Sequence, residues 1–231
     1  MFISNSELMN GILLTGFIAG AIHVFMGADH MAAIAPFAVW SPSRAWTAGL
    51  RWGIGHASGV GITFLIVLIL REFLKIEMLS TWSERLVGLT LIGMGLWALR
   101  LAGLSKVHTH EHIHGGIIHE HIHIHASGQS QIRDSHFHGH TALAVGVLHG
   151  IAGGSHFLGV LPALAFPNQS SACAYILAFG VGAIAAMVSF SLCIGWLAVK
   201  CAQKRVTIYR QLLFGCALIA LTTGGLWILQ A

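Results

Sequence analysis

The chain has 231 residues, 55% hydrophobic and only 9% charged, where an average soluble domain carries about 25% charged residues. Its mean hydropathy is +0.77, which excludes a soluble globular domain and also a disordered chain, since disorder needs low hydrophobicity and high charge. The formal charge of +4 comes from basic residues scattered between apolar blocks. No nucleic-acid partner is therefore expected, and the surrounding partner is membrane lipid.

Six apolar segments follow in chain order, over residues 8–40, 46–70, 86–104, 142–166, 172–199 and 212–229. Most are long enough to cross a bilayer with some tilt. As one straight helix at about 1.5 Å per residue, the first would run to roughly 50 Å against a hydrocarbon core of about 30 Å. It is therefore predicted to be broken, bent or followed by an interfacial piece, with Gly27 and Pro36 as breakpoints. No cleavable signal peptide is expected, because the first apolar run lacks a basic leader and holds His23, Asp29 and His30. The four cysteines show no CxxC spacing and read as small packing residues.

Six spans place both termini on one side. The other side then holds Arg44, Arg51, Arg100, Lys106, Arg133, Lys200, Lys204, Arg205 and Arg210, against Arg71, Lys75 and Arg85 on the termini side. The positive-inside rule makes the richer side cytoplasmic. The expected location is a bacterial inner membrane or its equivalent, with the central loop in the cytoplasm and the termini opposite.

The two halves resemble each other. Gly20, His23, Gly27, His30 and Pro36 recur 126 residues later as Gly146, His149, Gly153, His156 and Pro162. LRWGIGHAS from Leu50 aligns with LAFGVGAIA from Leu177, and GLWALR from Gly95 with GLWILQ from Gly225. Three spans per repeat is an odd number, so the halves must enter the membrane in opposite senses, as in many secondary transporters. The predicted fold is an all-α integral membrane protein of six transmembrane helices in two inverted three-helix repeats, residues 1–104 and 142–231. A His-rich loop, residues 105–141, joins them.

Sixteen histidines accompany only eight acidic residues, and eleven of them lie between His108 and His140. The other five, His23, His30, His56, His149 and His156, sit with Asp29 inside apolar segments. A carboxylate in hydrocarbon costs several kcal/mol unless it is paired or faces water. Asp29 could instead cap a restarting helix, and a lone intramembrane histidine is commonly a packing residue. Five histidines, four of them related by the repeat, point to a shared site. Imidazole nitrogen with carboxylate oxygen suits borderline divalent metals. Seven residues separate His23 from His30, about 10 Å along a straight helix. A break at Gly27 could bring them together, or the two could be successive stations on a path.

The stretch HVFMGADHMAAIAP from His23 resembles the signature of the nickel/cobalt transporter superfamily, closest to the subgroup similar to urease-accessory nickel permeases. RWGIGHASGV from Arg51 and VLHGIAGGSHFLGVLPAL from Val147 resemble its second and third motifs. The resemblance implies transport of Ni²⁺ or Co²⁺ with His23, Asp29 and His30 essential, and extends to His56. Met26 and Gly27 stand where the better-known uptake permeases are shorter and carry an extra acidic residue.

The loop segment VHTHEHIHGGIIHEHIHIH alternates with period two. It matches HExxH twice, but that zinc-protease motif needs a helix, which strict alternation beside Gly-Gly does not form. Gly115-Gly116 between alternating runs is a hairpin signal. Paired residue numbers then sum to 231, setting His112 against His119, His110 against His121 and His108 against His123 on one face. The loop is predicted to be disordered without metal, to order into this hairpin as Ni²⁺, Co²⁺ or Zn²⁺ bridges the pairs, and to bind less well below about pH 6. A plain solvated linker is the alternative.

The expected function is secondary transport of nickel or cobalt, with uptake favoured over efflux. No resident cofactor is expected, the metal being cargo, and a cytoplasmic metallochaperone is the expected protein partner. No GxxxxGK[ST] motif is present. A membrane metalloenzyme or haem protein is the rival class; neither explains an inverted repeat with Asp29 beside His30, and the chain is not expected to be an enzyme.

Overall fold

The computed structural model describes residues 4–70, 76–114, 117–126, 134–152 and 156–230. In chain order these form α1 (Asn5–Met26), α2 (Ala28–Trp40), a single 3₁₀ turn (Pro42–Arg44), α3 (Ala45–Leu70), α4 (Ile76–Leu104), β1 (Ser105–His114), β2 (Ile117–Ala126), α5 (Asp134–Ala152), α6 (His156–Leu164), α7 (Gln169–Lys204) and α8 (Val206–Gln230). The fold is helical, with one antiparallel hairpin inserted between α4 and α5 in the loop that joins them. The helices α4 and α5 begin upstream of their apolar spans, at Ile76 and Asp134.

Among the described residues, four helical stretches are long and apolar enough to cross a membrane: Asn5–Met26, Glu84–Gly103, Gln169–Lys204 and Val206–Gln230. The chain is a multi-pass membrane protein. Its surface fits that solvent, because large apolar side chains such as Leu14, Ile69, Leu177 and Leu229 point outward. The interior is built largely from alanine, with glycine where helices touch. Lipid offers no hydrophobic drive for helix association, so close packing through small residues takes its place. Of the four cysteines only Cys216 is buried, while Cys173 and Cys193 are exposed; the packing role read from sequence holds for Cys216 alone.

Local chemistry sets the helix ends. At α1 the Ser4 hydroxyl accepts from the Glu7 backbone N–H at 3.2 Å, and the Glu7 carboxylate accepts from the Ser4 N–H at 2.9 Å, a reciprocal cap. The helix stops at Gly27, which adopts φ −83° and ψ 98°. Pro36 does not break the chain, contrary to expectation. It lies inside α2, which continues to Trp40. A proline forfeits one backbone hydrogen bond, and here α2 is held on both flanks by α7 and α8. At α7 the Asn168 side chain accepts from the Ser171 N–H at 2.8 Å.

Glycine contacts fix the direction of each pair. Helix α1 lies parallel to α7: Gly16 faces the Tyr175 carbonyl, Gly20 the Phe179 carbonyl, and Gly182 the Phe17 carbonyl. Helix α3 lies parallel to α5, with Gly146 against the Trp52 carbonyl, Gly150 against that of His56, and Gly55 against that of Leu143. Antiparallel to α7 runs α3, Gly49 meeting Met187 and Gly180 meeting Ala57. Helices α4 and α8 are also antiparallel, with Gly88 and Gly224 face to face and Gly95 against Leu221.

The buried Tyr209 hydroxyl of α8 donates to the Val39 carbonyl at 2.9 Å and ties down the end of α2. Tyr209→Phe is expected to lower stability by about 0.5–1.5 kcal/mol, read as a fall in Tm in detergent.

The hairpin pairs in the register expected from the sequence: His108 opposite His123, His110 opposite His121, Glu111 opposite Glu120, and His112 opposite His119. The turn residues Gly115 and Gly116, and the side chains of both strands, lie outside the described residues.

Candidate metal centre

The break at Gly27 builds the site. Had α1 continued straight, His23 and His30 would share one face but lie about 10 Å apart along the axis, too far to share an ion. Instead α2 restarts at Ala28, and the two imidazole centroids come to 4.7 Å, edge to face. Asp29 falls in the first turn of α2, where a carboxylate is favoured by the helix dipole. It is not a cap, since α2 has no side-chain capping bond. Gly27 also clears space: a Cβ there would collide with the His30 ring and crowd Asp29 Oδ1.

Two other helices bring the remaining ligands. His56 comes from α3, where Gly55 and Gly59 let the helix close onto the backbone of α5. Its ring centroid lies 4.9 Å from that of His30 and 5.8 Å from that of His23. His149 comes from α5, its centroid 4.7 Å from that of His30. Asp29 Oδ1 is 3.0 Å from His30 Nδ1, and Oδ2 is 3.1 Å from His149 Nε2. The carboxylate thus hydrogen-bonds the His30 ring and stands at ion-pair distance from His149, contacts that offset part of the cost of burying it. Asp29, His30, His56 and His149 are fully buried, and His23 is partly so.

Of the six intramembrane residues singled out from sequence, five converge here. The sixth, His156, is the first residue of α6, and its side chain lies outside the described residues. Ligand atoms of His23, His30 and His56 lie within 4.8 Å of one another, and so do those of Asp29, His30 and His149. Four imidazoles and one carboxylate in a dry setting form a donor set for a borderline divalent transition metal rather than an alkali ion.

Two aromatic residues that sequence reasoning passed over close the site. Phe179 lies against His23 at 5.4 Å, and the fully buried Trp52 lies against His149 at 5.9 Å between centroids. The aligned segments had already matched Trp52 with Phe179, just as His23 matches His149. Beyond Trp52 comes Phe37, at 6.2 Å. Phe37 borders a cavity of about 300 Å³ between α2, α4 and α5, lined also by Thr90, Met94, Trp97, Thr141 and Val145. Thr141, Val145 and His149 follow at helical spacing on one face of α5.

Gly27→Ala is expected to push the His30 ring out of both triads while leaving the helices in place. Metal binding should fall at least tenfold with the Tm nearly unchanged; isothermal titration and thermal unfolding in detergent read the two separately.

No family model and no solved structure matches the chain. Among curated proteins it is 32% identical, over 91% of its own length, to the Arabidopsis thaliana chloroplast protein FOR GROWTH AND FERTILITY 1. It is 30% identical over the same share to FOR GROWTH AND FERTILITY 2. The chain spans just over half the length of these two plant relatives, 56% and 54%. It is also 31% identical, over 80% of its length and 76% of the relative's, to the urease accessory protein UreH of Bacillus sp. strain TB-90.

Proposed function

The chain belongs to the family of the urease accessory protein UreH, and from that premise we propose that it is a secondary transporter for a divalent transition-metal ion. Nickel or cobalt is the cargo, and uptake the favoured direction. The observation that carries this reading is a buried carboxylate, Asp29, clustered with imidazoles from four helices of a membrane protein. Such a group in a bilayer is costly and marks an ion pathway. The resemblance of the first motif to nickel/cobalt transporters selects the metal class.

The proposal includes six membrane passes as two inverted repeats, residues 1–104 and 142–231. What supports it is the exchange symmetry of the packing. Helix α1 runs along α7 as α5 runs along α3, and α3 opposes α7, so α1 and α5 point in opposite senses. The Gly20–Phe179 contact has its counterpart in Gly146–Trp52, and Gly182–Phe17 in Gly55–Leu143. On this reading a cysteine in the central loop labels from the cytoplasmic face, and cysteines near the two ends of the chain label from the opposite face. Labelling of loop and ends from one face would contradict the six-pass arrangement.

The loop, residues 105–141, serves as a cytoplasmic metal-binding arm through His108, His110, His112, His119, His121 and His123. The register sets these histidines opposite one another, and directly opposed residues of an antiparallel pair generally have Cβ atoms about 4.5–5.5 Å apart. Zn²⁺ is a further ion for this arm, which would pass metal to or from a metallochaperone.

Elemental analysis of cells expressing the chain tests the whole proposal. A rise in cellular nickel or cobalt is expected; a fall would reverse the direction to efflux, and no change in any divalent metal would overturn the transporter reading.

A further inference from the structure

The intramembrane cluster does not have the shape of one five-ligand cage. Its ligand atoms resolve into two triads, His23/His30/His56 and Asp29/His30/His149, each within 4.8 Å. Three protein ligands are enough to hold a borderline divalent ion, with water completing the shell. Resting on the transporter reading above, we infer that the cluster is a pair of mutually exclusive stations for one ion, with His30 as the ligand common to both.

Three features argue for it. The donor sets differ: one triad is all imidazole, and the other contains the carboxylate that neutralises part of the ion's charge. In a low-dielectric setting that difference makes the Asp29 triad the tighter station. His30 belongs to both, and a neutral imidazole offers a single lone pair, so it serves one ion at a time. Two divalent ions bridged by one ring would also repel each other strongly with no water between them. Finally, His30 stands between the two sets, so on this reading an ion changes station by exchanging the other two residues, with His30 present in both.

The stations also have separate neighbours. The ring of Phe179 lies beside His23, and that of Trp52 beside His149. The carboxylate station is thus next to the aromatic residues that lead to the cavity between α2, α4 and α5, and the all-imidazole station is next to α7.

Cobalt(II) is a suitable probe, because its visible absorption reports nitrogen against oxygen ligation. The full chain is used, with the histidines from His108 to His140 changed to serine so that only the cluster binds. Size-exclusion profiles establish that each variant is folded. The expected stoichiometry is one Co²⁺ per chain. Asp29→Asn should still bind one ion, at least tenfold more weakly, with a spectrum shifted towards all-nitrogen ligation. In that background His149→Ala should change nothing further, while His56→Ala should abolish binding. The reciprocal background, His56→Ala, should tolerate His23→Ala and lose binding on Asp29→Asn. Two ions per chain would overturn the shared ligand. Equal losses from His149→Ala and His56→Ala in the Asp29→Asn background would reduce the cluster to one site while leaving the transporter reading intact. No cobalt binding by the starting chain would overturn both.

Discussion

Asp29→Ala and His30→Ala are each expected to reduce metal flux at least about 100-fold while the chain still inserts in the membrane. The two residues are adjacent at the start of α2, and every described ligand of the cluster is grouped around them. Removing Asp29 leaves four imidazoles with no anion to balance a divalent charge, in a setting where charge is poorly screened. Removing His30 takes a member from both triads. Flux is read by elemental analysis of cells, and insertion by the yield and monodispersity of the purified variant. Full flux in both variants would overturn the assignment of the site.

The second large effect lies in the helix seams. Gly182→Leu places a side chain where the Phe17 carbonyl stands, and Gly20→Leu places one against the Phe179 carbonyl. A backbone carbonyl cannot swing aside as a flexible side chain can, so helices α1 and α7 must separate. Overpacking a core costs about 1–3 kcal/mol even where side chains yield, and these variants are expected at or above the top of that range, with little folded protein recovered. Gly146→Leu, facing the Trp52 carbonyl in the other pair, should be as damaging as Gly20→Leu. Gly11→Leu and Gly61→Leu, which have open space around them, should be tolerated. A Tm series in detergent orders all five, and a clear inequality between Gly20→Leu and Gly146→Leu would argue against equivalent halves.

Much of the architecture is legible in composition and spacing, because a bilayer restricts the options. Apolar runs of a given length become helices, and the hairpin follows from period-two alternation around two glycines. The break at Gly27 is legible for a similar reason: a run too long for the membrane has to turn where the backbone is least protected. Pro36 misled, because a proline's cost is local while the packing that holds α2 against α7 and α8 is not visible along the chain. The residues that cluster were singled out by type, but their grouping was not legible. His23 and His30 look too far apart on any straight helix, and the approach of His149 depends on α5 closing onto α3 through Gly146 and Gly150. Trp52 and Phe179 were passed over because an aromatic residue in an apolar run carries no chemical signal of its own. Only its equivalence under the repeat, together with a neighbouring histidine, marks it.

The pairing of α1 with α7 and of α3 with α5 has a consequence for synthesis. Asp29 is 120 residues ahead of His149, and Gly20 is further still ahead of Phe179. At about 5–20 residues per second, the carboxylate waits roughly 6 to 24 seconds in the bilayer before its partner on α5 leaves the ribosome. Through that interval the early helices expose the glycine face of α1 and the polar first turn of α2, with no later helix to cover them. Neither half can close on its own, since each buries its first helix against a helix of the other. The vulnerable species for this protein is therefore the nascent chain of three or four helices, and a membrane protease or insertion chaperone would meet the site before any metal does.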